Sequence, residues 1–180
     1  PDTKESSTAL FFQDEIANAV WSITPGVRFD RFKVDASQVG FSPPSPTPAA
    51  SLSGSAVSPK LGTLYKLTPD IGLYANYASG FKAPNANQIN GFFDNIAGPF
   101  FFYRTIPNAN LRPEKSRTFE IGTKGRYDRL TFDAAIFTGR YKDFIEDLRQ
   151  VSGAGTAANP VVFQSVNLSN VRISGFEVKG

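Results

Sequence analysis

Hydrophobic and polar residues alternate along most of this chain. From Ser116 to Tyr127 the odd positions Arg117, Phe119, Ile121, Thr123, Gly125 and Tyr127 are mostly apolar, and the even positions Ser116, Thr118, Glu120, Gly122, Lys124 and Arg126 are polar or small. A period of two puts one set on each face of a β-strand. Leu130, Phe132, Ala134 and Ile136 alternate in the same way with Thr131, Asp133 and Ala135. Ile71, Leu73, Ala75 and Tyr77 alternate with Gly72, Tyr74, Asn76 and Ala78, and Val57, Leu61, Tyr65 and Leu67 with Ser58, Lys60 and Lys66. Weaker alternation covers Ala9 to Ile16, Ile23 to Val34, Val161 to Asn167 and Val171 to Val178. The pattern predicts an all-β antiparallel meander of about eight strands and no helix.

The connections alternate too. Short turns are predicted near Ala17–Ala19, at Thr68-Pro69-Asp70, at Tyr127-Asp128-Arg129 and at Leu168–Asn170. Long segments are predicted at 35–54 (with Pro43, Pro44, Pro46 and Pro48), at 81–113 and at 146–160. Short turns at one end and long loops at the other describe a transmembrane β-barrel, and strands of about ten residues fit a tilted crossing of a bilayer. Tyr65, Tyr74, Tyr77, Tyr127 and Tyr141 lie near strand ends, where aromatic girdles form. A soluble antiparallel sandwich would show the same period and the same Gly/Pro turns. The alternation of loop lengths favours the membrane barrel.

Composition narrows the chemistry. The chain has no Cys and no His, so it holds no disulfide, no thiol nucleophile and no Ser-His-Asp triad. A net charge of +3, without a basic cluster or stripe, gives no nucleic-acid signature. No apolar run is long enough for a membrane-spanning helix, which leaves barrel strands open. No catalytic pair stands out, and an enzyme is not expected. Met is absent, residue 1 is Pro and no leader segment is read, so the chain is expected to be part of a longer translation product.

The segment 81–113 is the main candidate site. A connection of this length without evident structure of its own is uncommon unless it works. Phe92, Phe93, Phe100, Phe101, Phe102 and Tyr103 are too apolar for a loop left in water. They suit a flat hydrophobic ligand or a protein partner, or a loop folded inward to plug the barrel mouth. Phe81 and Pro84 can equally stack at a rim, and Asn108 and Asn110 can cap turns. With His absent, Tyr103 is the segment's candidate ligand for haem iron, since phenolate binds haem; packing is the commoner role of such a Tyr. Asp143, Glu146 and Asp147 have the oxygen chemistry of a Ca²⁺ site, but a solvated loop base is the expected reading. Lys124, Arg126, Arg129, Arg140 and Lys142 read as lumenal or interfacial charges.

A series of short motifs in order then resembles a known family. It runs Gln13-Asp14-Glu15-Ile16, Thr24-Pro25-Gly26-Val27-Arg28-Phe29-Asp30, Ser58-Pro59-Lys60-Leu61-Gly62 and Tyr74-Ala75-Asn76-Tyr77. It continues with Gly80-Phe81-Lys82-Ala83-Pro84, Asn108 to Ser116 with Glu120 and Gly122, Tyr141 to Glu146, Val166-Asn167-Leu168 and Gly175-Phe176-Glu177. The series is similar to TonB-dependent outer-membrane receptors, most of all to the haem/haemoglobin branch, with its F-R-A-P and N-P-N-L boxes around an extracellular loop. The resemblance implies a barrel of about 22 strands with an N-terminal plug, in the outer membrane of a Gram-negative bacterium. It implies import of haem or a haem protein, powered by the inner-membrane TonB complex acting through that plug, with outer-membrane lipid around the wall. Haem would be cargo, with no intrinsic cofactor. Residues 1–180 would be a partial barrel domain, about a third of the strands, with plug and remaining strands outside it.

The resemblance assigns ligand binding to Phe81, Lys82, Pro84, Phe101, Phe102, Tyr103, Asn108, Asn110 and Leu111, and haem iron to Tyr103. Two boxes depart from the family pattern. Lys82 replaces Arg and loses its planar fork, and Ala109 replaces Pro, which relaxes a turn. Many relatives carry a haem-ligating His between the boxes, and some use a Tyr of that loop with a plug His. This chain has only the Tyr option, so a siderophore receptor on the same barrel stays open. A complete eight-stranded outer-membrane barrel with a structural or adhesive role is the further alternative.

Overall fold

The computed structural model describes residues 2–38, 48–97 and 101–180. Pro43, Pro44, Pro46 and Phe100, singled out above, lie outside the described residues. The elements in order are β1 (Asp2–Gln13), β2 (Ile16–Ala17), β3 (Trp21–Gln38), β4 (Leu52–Lys66), β5 (Ile71–Lys82), α1 (Ala86–Asn90), β6 (Phe93–Asn95), β7 (Tyr103–Ile106), β8 (Glu114–Tyr127), β9 (Leu130–Ser152) and β10 (Val161–Lys179).

Seven long strands form one meander, β1-β3-β4-β5-β8-β9-β10, antiparallel at every step, and β7 and β6 extend it beyond β10. The all-β expectation holds. Neither β1 nor β10 pairs with the other, so the described residues do not close into a small barrel. The predicted turn at Leu168–Asn170 is strand instead, which merges the last two predicted strands into β10. The predicted loop at 146–160 shrinks, because β9 runs on to Ser152. β10 runs through 168–170 because Leu168 and Asn170 keep their pairing with Phe144 and Lys142, and the continuation of β9 has its own cause. Asp143 (φ 56) and Leu148 (φ 53) on β9 take left-handed backbone, and the β9–β10 register shifts between Gln164 and Val166. Such bulges let a strand continue through a sequence whose strict alternation has broken.

The short turns share one end of the sheet. Asn18 Oδ1 accepts from the amides of Val20 and Trp21, and Thr68 Oγ1 accepts from those of Asp70 and Ile71. Asp128, at φ 55, and Arg129 make a two-residue hairpin turn between the paired Tyr127 and Leu130. The strand ends that lead into the long connections, at the close of β3, β5 and β9, lie at the other end.

Register carries the alternation across strands as rows. Thr63, Ala75, Ile121, Ile136 and Phe176 form one row, and Leu61, Tyr77, Phe119, Thr138 and Ser174 the next. Leu10 and Phe12 on β1 and Val27 and Phe29 on β3 face the same way and are exposed. On β8 this apolar band runs from Phe119 to Tyr127, which matches the roughly 9–11 residues of a tilted transmembrane strand. The opposite face is polar. There Asn76 Nδ2 donates to Glu120 at 3.2 Å and the Tyr74 hydroxyl donates to Asp133 at 2.9 Å. Gly122 makes room for the Tyr74 ring, since a Cβ there would lie 2.6 Å from it. Tyr74 is thus a lumenal residue and not part of an aromatic girdle, whereas Tyr65, its ring tilted against Trp21 with centroids 4.6 Å apart, and Tyr77 belong to the apolar face.

Candidate functional site

The connection between β5 and β8 has structure of its own, contrary to the sequence reading. Its first part is α1, a helix of 5 residues that is too short to be stable alone. It forms because Asn85 and Gln88 make a capping box. Asn85 Oδ1 accepts from the Gln88 amide and Gln88 Oε1 from the Asn85 amide, both at 2.9 Å. Pro84, the preceding residue, is fully buried, as is Ile89, and Phe92 is buried beside them in the chain.

Long-range hooks then hold α1 against the polar face of the sheet. The Ala86 amide donates to Glu5 Oε1 on β1. Gln88 Nε2 donates to both oxygens of Asp147 on β9, at 3.0 and 3.2 Å, and Asp147 also accepts from the Ser165 hydroxyl. Asn90 exchanges two hydrogen bonds with the backbone of Ala50. One short helix therefore touches β1 and β9, which stand five places apart in the sheet, so the sheet curls around it. α1 lies on the concave, lumenal side.

The two family-like boxes, Phe81 to Pro84 and Asn108 to Leu111, converge beside α1. Phe81 packs 5.8 Å from Phe32, and Lys82 pairs with its register partner Glu114 at 3.4 Å, whose Oε1 also accepts the Ile145 amide. The Asn108 amide donates to the Ile89 carbonyl, Asn108 Nδ2 to the Ser165 carbonyl, and Asn108 Oδ1 accepts from Asn110. Leu111 is 2% exposed. Next to it Arg112 pairs with Asp143 at 2.6 Å, and Asn167 holds the Arg112 backbone from both sides, accepting from its amide and donating to its carbonyl. Phe81, Lys82, Pro84, Asn108, Asn110 and Leu111 are thus gathered at the root of the loop, fixing its two ends to the wall.

The remaining candidates sit farther along. β7 pairs in parallel with the start of β10, setting Tyr103 opposite Val161. The Tyr103 ring lies 5.6 Å from Phe93, 5.7 Å from Phe101 and 6.2 Å, edge-on, from Phe163. Phe93 and Phe101 are half exposed, while Phe102 is partly covered and its carbonyl accepts the Val161 amide. This cluster of rings offers flat apolar surface with one phenol in it. Below it Arg104 donates to Asp94 Oδ2 at 3.1 and 2.6 Å, while Asp94 Oδ1 is buried with no hydrogen-bond partner among the described residues.

The reading of Asp143, Glu146 and Asp147 as a solvated loop base is corrected in part. Asp143 is buried and paired with Arg112, and Asp147 is taken by Gln88 and Ser165, while Glu146 pairs with Arg149 at the surface. Among the described residues no cluster of His, Cys, Asp and Glu is arranged to hold a metal ion. Sequence reasoning missed Glu5, Gln88, Asn90, Phe163 and Gln164, whose Nε2 donates to the Pro107 carbonyl. Gln88 had one local signal, its capping-box spacing from Asn85; nothing local marks the others, because each acts on a partner far away in the chain. Asn167 was legible only as part of a motif.

Comparison with known proteins bears on the whole chain. Residues 1–180 match the family described as TonB dependent receptor-like, beta-barrel. The chain is 28% identical, over 92% of its length, to hemoglobin and hemoglobin-haptoglobin-binding protein A of Haemophilus influenzae, and covers 16% of it. It is 26% identical, over 87% of its length, to heme/hemopexin utilization protein C of the same species, covering 23% of that protein. It is 33% identical, over 64% of its length, to the metal-pseudopaline receptor of Pseudomonas aeruginosa, covering 14%. The chain thus spans less than a quarter of these relatives. Among solved structures, it superposes on the copper transporter OprC with a TM-score of 0.74 at 20% identity, covering 98% of this chain and 26% of that one. The Serratia marcescens hemophore receptor HasR, in complex with its hemophore HasA and heme, gives a TM-score of 0.74 at 18% identity, covering 97% of this chain and 31% of that one.

Proposed function

The chain belongs to the TonB-dependent receptor β-barrel family, and from that premise we propose that its receptor binds and imports haem or a haem-carrying protein. Members of this family are outer-membrane proteins of Gram-negative bacteria that transport and do not catalyse. In this reading residues 81–113 are part of the extracellular capture surface, and import is driven by the inner-membrane TonB complex acting through a plug domain. The observation that carries the reading is the ring cluster at the loop. Tyr103 among Phe93, Phe101 and Phe163 combines flat apolar faces with the one side-chain type here that ligates haem iron in the absence of His. The likeness to two relatives, a haemoglobin-binding and a haem-utilisation protein, supports it.

The box residues enter this proposal as the scaffold that fixes where the aromatic segment is held, with Lys82 and Asn110 as the ones exposed enough to meet a ligand directly. The test is a haem titration of the full-length receptor. A Soret shift that is lost in Tyr103→Phe supports haem ligation by this chain. No shift in the intact receptor overturns it. A second reading, a metal-chelate receptor, is favoured by the likeness to the metal-pseudopaline receptor. It predicts no Soret change, saturable binding of a metal chelate, and indifference to Tyr103→Phe.

A further inference from the structure

Extending the apolar rows upward, past Phe119, shows a change of chemistry on the same face. The next positions on β8 are Arg117 and Lys115; register sets Arg117 opposite Arg140, which stands opposite Arg172, and Lys115 opposite Lys142. Five cations thus occupy two adjacent rows on three strands. Like charges directly opposite one another are unfavourable in a sheet. None of the five has an ion-pair partner among the described residues. The outward positions of β5, β8, β9 and β10 beside and below them hold no acid. At and below the level of the array, the acids of these strands, Glu114, Glu120, Asp133 and Glu177, fall on the lumenal side, and higher on β9 Asp143, Glu146 and Asp147 are engaged by Arg112, Arg149 and Gln88. The charge separation is therefore a property of the two faces.

The rows also border a groove. The β4–β5 ladder starts only at Lys60 and Ala78, and Pro59 just above it has no amide to continue pairing. The strands part there, leaving a cavity of about 540 Å³ walled by Ser55 and Ser79 on one side and by Lys115, Arg117, Arg140 and Lys142 on the other. Small hydroxyl side chains face a guanidinium and ammonium array across an open slot.

We propose that this cationic array is a binding site for the phosphate groups of an anionic lipid in the outer leaflet. The inference rests on the reading that the apolar face lies in the bilayer. Two features select a lipid. The array is continuous with the lipid-facing band, one row above Phe119, at the height where headgroups begin. Its chemistry, planar guanidiniums side by side, suits phosphate oxygens bidentately. A lipid held there has its acyl chains along Phe119, Ile121 and Ile136 and its phosphates across the arginines, so one molecule satisfies both parts of the face and neutralises the like-charge rows.

The test uses the full-length receptor in nanodiscs containing bisphosphorylated lipid A or its dephosphorylated form. Lipid retained through delipidating washes is counted by native mass spectrometry. Retention of the phosphorylated lipid is expected to fall roughly five-fold for each cation replaced in Arg117→Gln, Arg140→Gln and Arg172→Gln. It is expected to recover in part in the Arg→Lys variants, and to be unchanged in Lys124→Gln on the lumenal face. Equal retention of the two lipids, equal retention by the triple Gln variant, or full displacement by inorganic phosphate would overturn the proposal. So would loss of a receptor dimer in the same variants with no change in lipid. Heat-modifiable mobility confirms that each variant is folded. A spin label at Ile136→Cys separates the two readings. If it reports water, the bilayer placement fails; if it reports lipid while retention is flat, the phosphate site alone fails.

Discussion

The wall and the loop are held together by different physics. In the wall, the long strands are tied to their neighbours by backbone ladders, interrupted above Lys60 and Ala78 between β4 and β5, and most side chains outside the upper concave side stay exposed to lipid or lumen. In the loop, backbone pairing is scant. The segment is held by buried Ile89, Phe92 and Leu111 and by amide and carboxylate side chains that reach the wall, such as Gln88, Asn90 and Asn167. A ladder is indifferent to most single side chains, so the wall tolerates substitution while its pattern survives. The loop depends on particular atoms, so it should yield locally and early.

The largest effect is expected at the centre of the loop's small core. Ile89→Ala removes the most buried large side chain and should cost the loop about 2–5 kcal/mol. Hydrogen exchange on the full-length receptor would show amides of 86–113 losing protection while those of β8 and β9 keep theirs. If the wall amides loosened equally, the two regions would be one cooperative unit and the contrast would fail. The matching wall experiment is Ile121→Arg. The site lies within the lipid-facing band, where a cation costs about 2–4 kcal/mol near the midplane. Denaturant unfolding from lipid vesicles should register that loss, whereas Ile121→Val should leave stability almost unchanged.

This contrast also decides what could be read from the sequence. Period two is a local property, so Ser116–Tyr127 and Leu130–Ile136 showed both strand and face, and the Tyr127–Leu130 turn followed from them. The alternation of short and long connections gave the barrel architecture. The merged strand β10 was missed because Leu168-Ser169-Asn170 reads locally as a turn, while Leu168 and Asn170 in fact keep their pairing with Phe144 and Lys142 of β9. At the loop, the family-like boxes located both roots, and Asn108 acts as the side-chain capper that its residue type suggested. The hooks were illegible. Gln88 meets Asp147 across 59 positions, and Asn167 meets Arg112 across 55. No window of sequence contains both partners.

A third substitution sharpens the role of such hooks. Asn167→Ala strips partners from the Arg112 amide, the Arg112 carbonyl and the Asp143 carbonyl. Groups left partly unsatisfied near a buried ion pair should cost about 1–3 kcal/mol. The expected signature is faster exchange at Arg112 and Leu111, with a weaker response at Ile89. If haem is the cargo, binding should weaken while the Soret position of the bound form stays put, because Tyr103 is untouched. A moved Soret band would mean that the root also sets the ring cluster's geometry.

The smallest effect is expected at the helix cap, and it tests the comparison most finely. A helix of five residues has too few internal hydrogen bonds to offset its own ordering, so α1 owes its existence to its ends. At the N-terminal end Asn85 supplies the acceptor for the Gln88 amide. Asn85→Ala should therefore cost about 1 kcal/mol, and Asn85→Gly only a few tenths. In exchange terms the Gln88 amide should open about five-fold more often in the Ala variant. The Gln88 side chain meets Asp147 as well as Asn85, so it resists release after the cap is lost. If that tether holds, Asn90 and Asn108 keep their protection and the loop is a set of independent attachments. If protection falls together from 86 to 108, the attachments form a single unit, and the cap, though weakest alone, stands at its edge.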